Sequence, residues 1–173
     1  HLTGHSIRKR QSKGREEVIL HCHPPEFIIL SFLMPLDSSL LSLALWKTMP
    51  ECIVFFPDGI RVVPPILPGT NKIADASAIE LEKSRIISWS HHGIFVSEES
   101  PDAVFSLVET IEKASAMQRK IIAAGGAKQT ISLQLLRELT DATENIRVCD
   151  PDILIKEEKK SNVIILSDIA DKL

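Results

Sequence analysis

Two short stretches carry residue types that could do chemistry. His21, Cys22 and His23 close an apolar run, and Ser90, His91, His92 and Gly93 follow much later in the chain. Glu16 to His23 alternates as a strand, with Val18, Leu20 and Cys22 on one face and Ile19, His21 and His23 on the other. The period of two sets both imidazoles on the same side, about 6–7 Å apart along the backbone, within reach of a single metal ion. His91 or His92, beside a second strand end, offers a third nitrogen. Three neutral imidazoles with one open coordination position mark a catalytic rather than a structural zinc. Cys22 faces the opposite way and reads as core. The pattern is loose, because an HxH strand also arises where imidazoles are simply buried and hydrogen-bonded. Spacing by itself does not choose between His91 and His92.

The elements that must hold these residues follow from proline, glycine and periodicity. Pro24-Pro25 ends the first strand, since neither residue can donate to a ladder. Glu26 to Leu33 and Ser38 to Trp46 read as helices separated by Pro35-Leu36-Asp37. Glu51 to Phe56 reads as a short apolar strand that turns at Pro57-Asp58-Gly59 and returns as Ile60 to Val63, a hairpin. Thr70 is placed to cap a helix running to about Lys83. Arg85 to Trp89 and Gly93 to Val96 flank the second histidine pair as strands. Ser100-Pro101-Asp102 starts a long amphipathic helix that Gly125-Gly126 stops, and a short helix follows from about Ser132 to Leu139. Beyond Asp141 lie a turn at Cys149-Asp150-Pro151, a charged run from Glu157 to Lys160 and one more candidate strand, Val163 to Leu166. Interleaved strands and helices imply a layered α/β or α+β core.

The 173 residues suffice for one domain, and 44% hydrophobic and 25% charged residues are ordinary for a globular protein. A net charge of −3 argues against a nucleic-acid binder. The basic residues Arg8, Lys9, Arg10, Lys13 and Arg15 read as a solvated helix end rather than a phosphate patch. Pro35 and Asp37 interrupt the most apolar stretch, so no membrane span of about 20 apolar residues is expected. Three scattered cysteines, Cys22, Cys52 and Cys149, form no disulfide framework. Nothing after His1 reads as a signal peptide, and a cytoplasmic location is expected.

Several motifs, in matching order, resemble the class II aldolase/adducin family. They are His21-Cys22-His23, Leu45-Trp46, Pro50-Glu51-Cys52, Phe56-Pro57-Asp58-Gly59, Pro68-Gly69-Thr70 and Trp89-Ser90-His91-His92-Gly93-Ile94-Phe95. Gly125 to Ser132 resembles a segment of that family's rhamnulose-phosphate branch. The resemblance implies an α/β fold in α/β/α layers, with a mixed, mostly antiparallel sheet flanked by helices, assembled as a homotetramer with intersubunit active sites. It implies reversible cleavage of a sugar phosphate, a ketose 1-phosphate, into dihydroxyacetone phosphate and an aldehyde. By position, His21, His23 and His92 correspond to the Zn2+ ligands, His92 being the one directly before glycine. Glu51 corresponds to a catalytic glutamate that serves the neighbouring subunit's site. The family's other essential glutamate and its phosphate-binding loop correspond to positions upstream of His1. The expected domain, 1–140, is therefore incomplete at its N-terminus, with 141–173 an extension of no clear match. Within the family, the non-enzymatic adducin branch, the fuculose-phosphate aldolases and the pentulose-phosphate epimerases are the alternatives. The last two share the histidine pattern.

Overall fold

A computed structural model describes residues 2–143 and Ile153. In chain order the elements are α1 (Leu2–Gln11), β1 (Val18–Cys22), α2 (Pro25–Leu33), α3 (Ser38–Thr48), α4 (Glu51–Phe55), β2 (Arg61–Val63), α5 (Asn71–Leu81), β3 (Ile86–Trp89), β4 (Gly93–Glu98), α6 (Pro101–Ala123) and α7 (Leu133–Thr143). The expected turn at Cys149, the charged run at Glu157 and the strand at Val163 lie outside the described residues, as does nearly all of the expected extension.

Among the described residues, four strands form one sheet in the order β1-β4-β3-β2. Its two antiparallel pairs, β1 with β4 and β3 with β4, outnumber the single parallel pair of β2 with β3. Strand periodicity sorts the side chains into two layers. Val18, Leu20, Cys22, Ile86, Ile94 and Val96 pack into the larger core with α2, α3, α4 and α6. Ile19, Ile87, Trp89 and Phe95 pack on the other face with Ile7 of α1 and Leu81 of α5. This is the layered α/β/α arrangement that the family resemblance implies.

Helix starts follow their local chemistry. Asp37 caps α3 by accepting from the backbone N–H groups of Ser39 and Leu40, both at 2.9 Å. Ser100 Oγ accepts from Ala103 N–H at 3.2 Å, with Pro101 at the first position of α6. Gly125 and Gly126 then take φ of 89° and 100°, a left-handed exit from α6 that glycine enters without steric cost. Among the described residues, no helix is long and apolar enough to cross a membrane.

Three expectations are corrected. Glu51 to Phe56 forms the helix α4, not a strand, with Phe56 N–H bonded to Cys52 O at 2.8 Å. Five apolar residues carry no decisive period; here Cys52 and Ile53 are buried while Glu51 and Phe55 face solvent. The hairpin with residues 60–63 is therefore absent, and β2 pairs in parallel with β3 instead. Thr70 occupies the N-cap position of α5 but makes no side-chain capping bond; its hydroxyl is turned to donate to Leu67 O at 2.8 Å. The basic stretch around α1 is only partly solvated. Arg8 is buried and makes a two-point pair with Glu16 at 2.7 and 2.9 Å, with a further bond to Leu81 O.

Deep in the larger layer, Arg85 is 1% exposed and joins three segments. It pairs with Glu98 of β4, donates to Phe55 O at the end of α4, and lies 3.6 Å from Asp58. Asp58 in turn accepts from Ser84 Oγ and Arg85 N–H, both at 3.1 Å, which pins the Pro57-Asp58-Gly59 turn. Removing one partner from a buried charge cluster strands the others without solvent. Arg85→Ala should therefore lower the unfolding free energy by about 3–5 kcal/mol, read from urea denaturation. A loss below about 1 kcal/mol would show the cluster to be effectively solvated.

Candidate metal centre

β1 and β4 align His21 with Phe95 and Cys22 with Ile94, so His21 and His23 meet the start of β4 at one end of the sheet. There the tight β3–β4 turn delivers His92, whose backbone N–H bonds to Trp89 O at 2.9 Å. The three imidazoles converge, their candidate ligand atoms all lying within 4.8 Å of one another. Ring centroids are 4.7 Å apart for His21 and His23, 5.1 Å for His21 and His92, and 4.9 Å for His23 and His92. Among the described residues this is the one group of three or more His, Cys, Asp or Glu with such convergence.

Gly93 makes the convergence possible. A Cβ at this position would lie 2.4 Å from Cys22 O, 2.9 Å from His23 Cδ2 and 3.3 Å from His21 Cε1. Any other residue would push β4 away from the strand that carries the first two histidines. The glycine after the histidine pair is thus required by space at the site.

The donor chemistry fits a metal. His21 Nδ1 sits 2.9 Å from Ile94 O, so its N–H donates there and Nε2 keeps a free lone pair, the tautomer a metal-binding histidine needs. That Nε2 faces His23 Nε2 at 3.1 Å. His92 Nδ1 is buried with no hydrogen-bond partner. A buried nitrogen without a partner is costly, and a cation would satisfy it. Burial pushes the His21 imidazole below its ordinary value; the Ile94 bond opposes the shift, and the neighbouring His23 and His92 add to it. The ring is neutral at pH 7 as a result, the form that binds metals.

Trp89 closes one side, its ring 4.4 Å from His21 and 5.5 Å from His92, held by Nε1 donating to Ser77 Oγ at 2.9 Å. It belongs to the same short motif as the histidines, yet its contact with them follows from the strand face and is not visible in spacing. Ser31, a lone hydroxyl within the apolar run Phe27-Ile28-Ile29-Leu30-Ser31-Phe32-Leu33, was also missed. Its position among apolar neighbours was the available sign. It contacts His91, which turns away from the cluster and stacks on Phe32 at 4.1 Å. Cys22 packs against the larger core, and burial, with a smaller contribution from Glu112, raises its thiol above the ordinary range.

Glu26 does not approach the cluster. Its carboxylate pairs with Arg119, which holds it below the usual carboxylate range. Glu51 also stands outside the cluster within this chain. It is exposed in the first turn of α4, in a shallow groove with Met49, Phe55, Glu109 and Lys113.

Gly93→Ala should destabilise the fold by about 1–3 kcal/mol, because backbone rather than a flexible side chain must yield; a urea midpoint equal to that of the unsubstituted chain would contradict the contact. In the metal-free protein, the His21 ring signals should titrate below the free-histidine value of about 6.5 when followed by NMR. A value at or above it would mean the ring is solvated.

Residues 12–119 match the class II aldolase and adducin N-terminal domain. Rhamnulose-1-phosphate aldolases of Pectobacterium atrosepticum and Escherichia coli are 38% and 37% identical over 136 residues, 79% of this chain and 50% of theirs. The chain thus spans about half the length of the curated relatives it matches. Among solved structures, a sugar-phosphate aldolase from Thermotoga maritima superposes with a TM-score of 0.65 at 25% identity, over 73% of this chain and 53% of that one. An L-fuculose-1-phosphate aldolase from Thermus thermophilus gives 0.52 at 20% identity, over 74% and 66%, a likeness of fold alone.

Proposed function

On the premise that the chain belongs to the class II aldolase and adducin family, we propose that its protein is a zinc-dependent aldolase. The reaction is the reversible cleavage of L-rhamnulose 1-phosphate into dihydroxyacetone phosphate and L-lactaldehyde. The substrate reading rests on the relatives at 37–38% identity that carry that name. The observation that carries the metal reading is the convergence of His21, His23 and His92, whose candidate ligand atoms all lie within 4.8 Å of one another.

Zinc, when bound, supplies a Lewis acid for the negative charge that cleavage leaves on the dihydroxyacetone phosphate half. His21 is fixed by Ile94 O with Nε2 free, and His23 and His92 would complete a three-nitrogen set with room beside it for substrate oxygens. Trp89 lies against two of the rings and excludes water from that side.

Glu51 is the proton carrier in this reading. Its carboxylate takes the proton from the substrate hydroxyl as the carbon–carbon bond breaks and returns it during condensation. Its exposure away from its own chain's histidines suits a role at a neighbouring copy's site within a homotetramer. Arg8 is buried against Glu16 and does not face a ligand, and this reading assigns the substrate phosphate to other residues of the whole protein. A cytoplasmic setting accords with Cys22 and Cys52, which are free thiols among the described residues.

The whole protein should bind one zinc per chain and cleave L-rhamnulose 1-phosphate. His92→Ala should lose both metal and turnover. Glu51→Gln should keep the metal while kcat falls about 10²–10⁴-fold. Retained zinc after His92→Ala would overturn the ligand set, and faster cleavage of L-fuculose 1-phosphate would move the substrate.

A further inference from the structure

His91 adopts φ of 63°, the left-handed region that residues other than glycine seldom enter. That backbone state sends two consecutive side chains to different sides. His92 turns toward His21 and His23, while His91 turns toward α2 and Phe32. Such a conformation persists only where the surroundings over-determine it.

Here the determinant is Ser31. Its Oγ donates to Ile28 O at 2.7 Å, accepts from the His91 backbone N–H at 3.1 Å, and lies 3.2 Å from His91 Nδ1. A hydroxyl has one proton and two lone pairs. With the proton on Ile28 O, both lone pairs remain for His91, whose Nδ1 must then carry hydrogen. Ser31 is 6% exposed, so these bonds do not compete with water.

The helix that carries Ser31 is itself tied to the other arm of the site. α2 begins two residues after His23, across Pro24 and Pro25. The Glu112 carboxylate on α6 accepts from the Glu26 and Phe27 backbone N–H groups, both at 2.9 Å, which fixes the start of that helix. One rigid element therefore holds His23 covalently at its entry and the His92 turn by hydrogen bonds one to two turns later.

We propose that Ser31 and His91 are positioning residues, a clasp that sets His92 at the distance from His21 and His23 that a metal ion requires. The inference rests on the three-histidine reading and gives His91 a task other than ligation. Residues that orient a metal ligand without touching the ion typically change metal affinity by about 10–100-fold.

The test is zinc affinity by competition with a chromophoric chelator, together with the visible absorption of the Co2+-substituted protein. Ser31→Ala and His91→Ala should each weaken zinc binding about 10–100-fold and shift the Co2+ bands at saturation. His91→Asn should stay close to the unsubstituted protein, because asparagine tolerates the left-handed region and its amide can donate to Ser31. A purely structural role would lower the melting midpoint and leave the Co2+ spectrum of the saturated protein unchanged. The clasp is refuted by tight zinc binding in the unsubstituted protein with affinities within about twofold for both alanine variants, or by His91→Asn as weak as His91→Ala. No zinc binding by the unsubstituted protein would remove the three-histidine reading, and the clasp with it.

Discussion

The approach of β4 to β1 at Gly93 is the constraint on which the rest depends. The ladder from Val18–Glu98 to Cys22–Ile94 brings two distant segments side by side. The missing Cβ at Gly93 lets the last rung close against Cys22 O. If the strands were farther apart, the two histidines of β1 and the one beyond β3 would belong to separate surfaces. The metal-binding potential is thus a property of sheet closure, with the imidazoles as its readout.

The layers on either side serve that closure differently. The larger core anchors α2, α3, α4 and α6 through Phe27, Leu30, Trp46, Ile53 and Ile111, and it contains the Arg85 charge cluster. The smaller layer is a lid of α1 and α5 over Phe95 and Trp89. The histidines lie on the thin side, at the edge of the aromatic cluster, where apolar surroundings keep His21 neutral while His23 stays open to solvent. A site that must hold a cation and admit a polar substrate needs this combination of a dry wall and an open mouth.

Much of this was legible in the residues. The HxH strand face, the Ser100 cap, the Gly125-Gly126 stop and the ordered motifs each state a local rule that the fold obeys. The failures share a physical cause. Residues 51–56 are too short and too uniformly apolar for periodicity to separate helix from strand, and the burial of Cys52 and Ile53 against α6 decided it. Arg8 reads as solvated because its partner Glu16 meets it only after the chain reverses beyond α1. The choice of His92 over His91 came from resemblance to a family; the backbone reason, a left-handed residue held by a helix hydroxyl, is invisible in spacing. Glu51 had no local signature, and its part in chemistry remains a reading through the family.

The separation of β1 from β4 along the chain also bears on how the protein reaches its folded state. The pairing joins residue 18 to residue 98, so the sheet gains its ladder only after a long loop is closed, a slow kind of step. The centre cannot exist in part: an unfolded chain holds the His21–His23 pair without His92, a weak two-point ligand. A bound cation would consequently favour the folded ensemble by mass action, and its concentration in the medium would set part of the protein's resistance to unfolding.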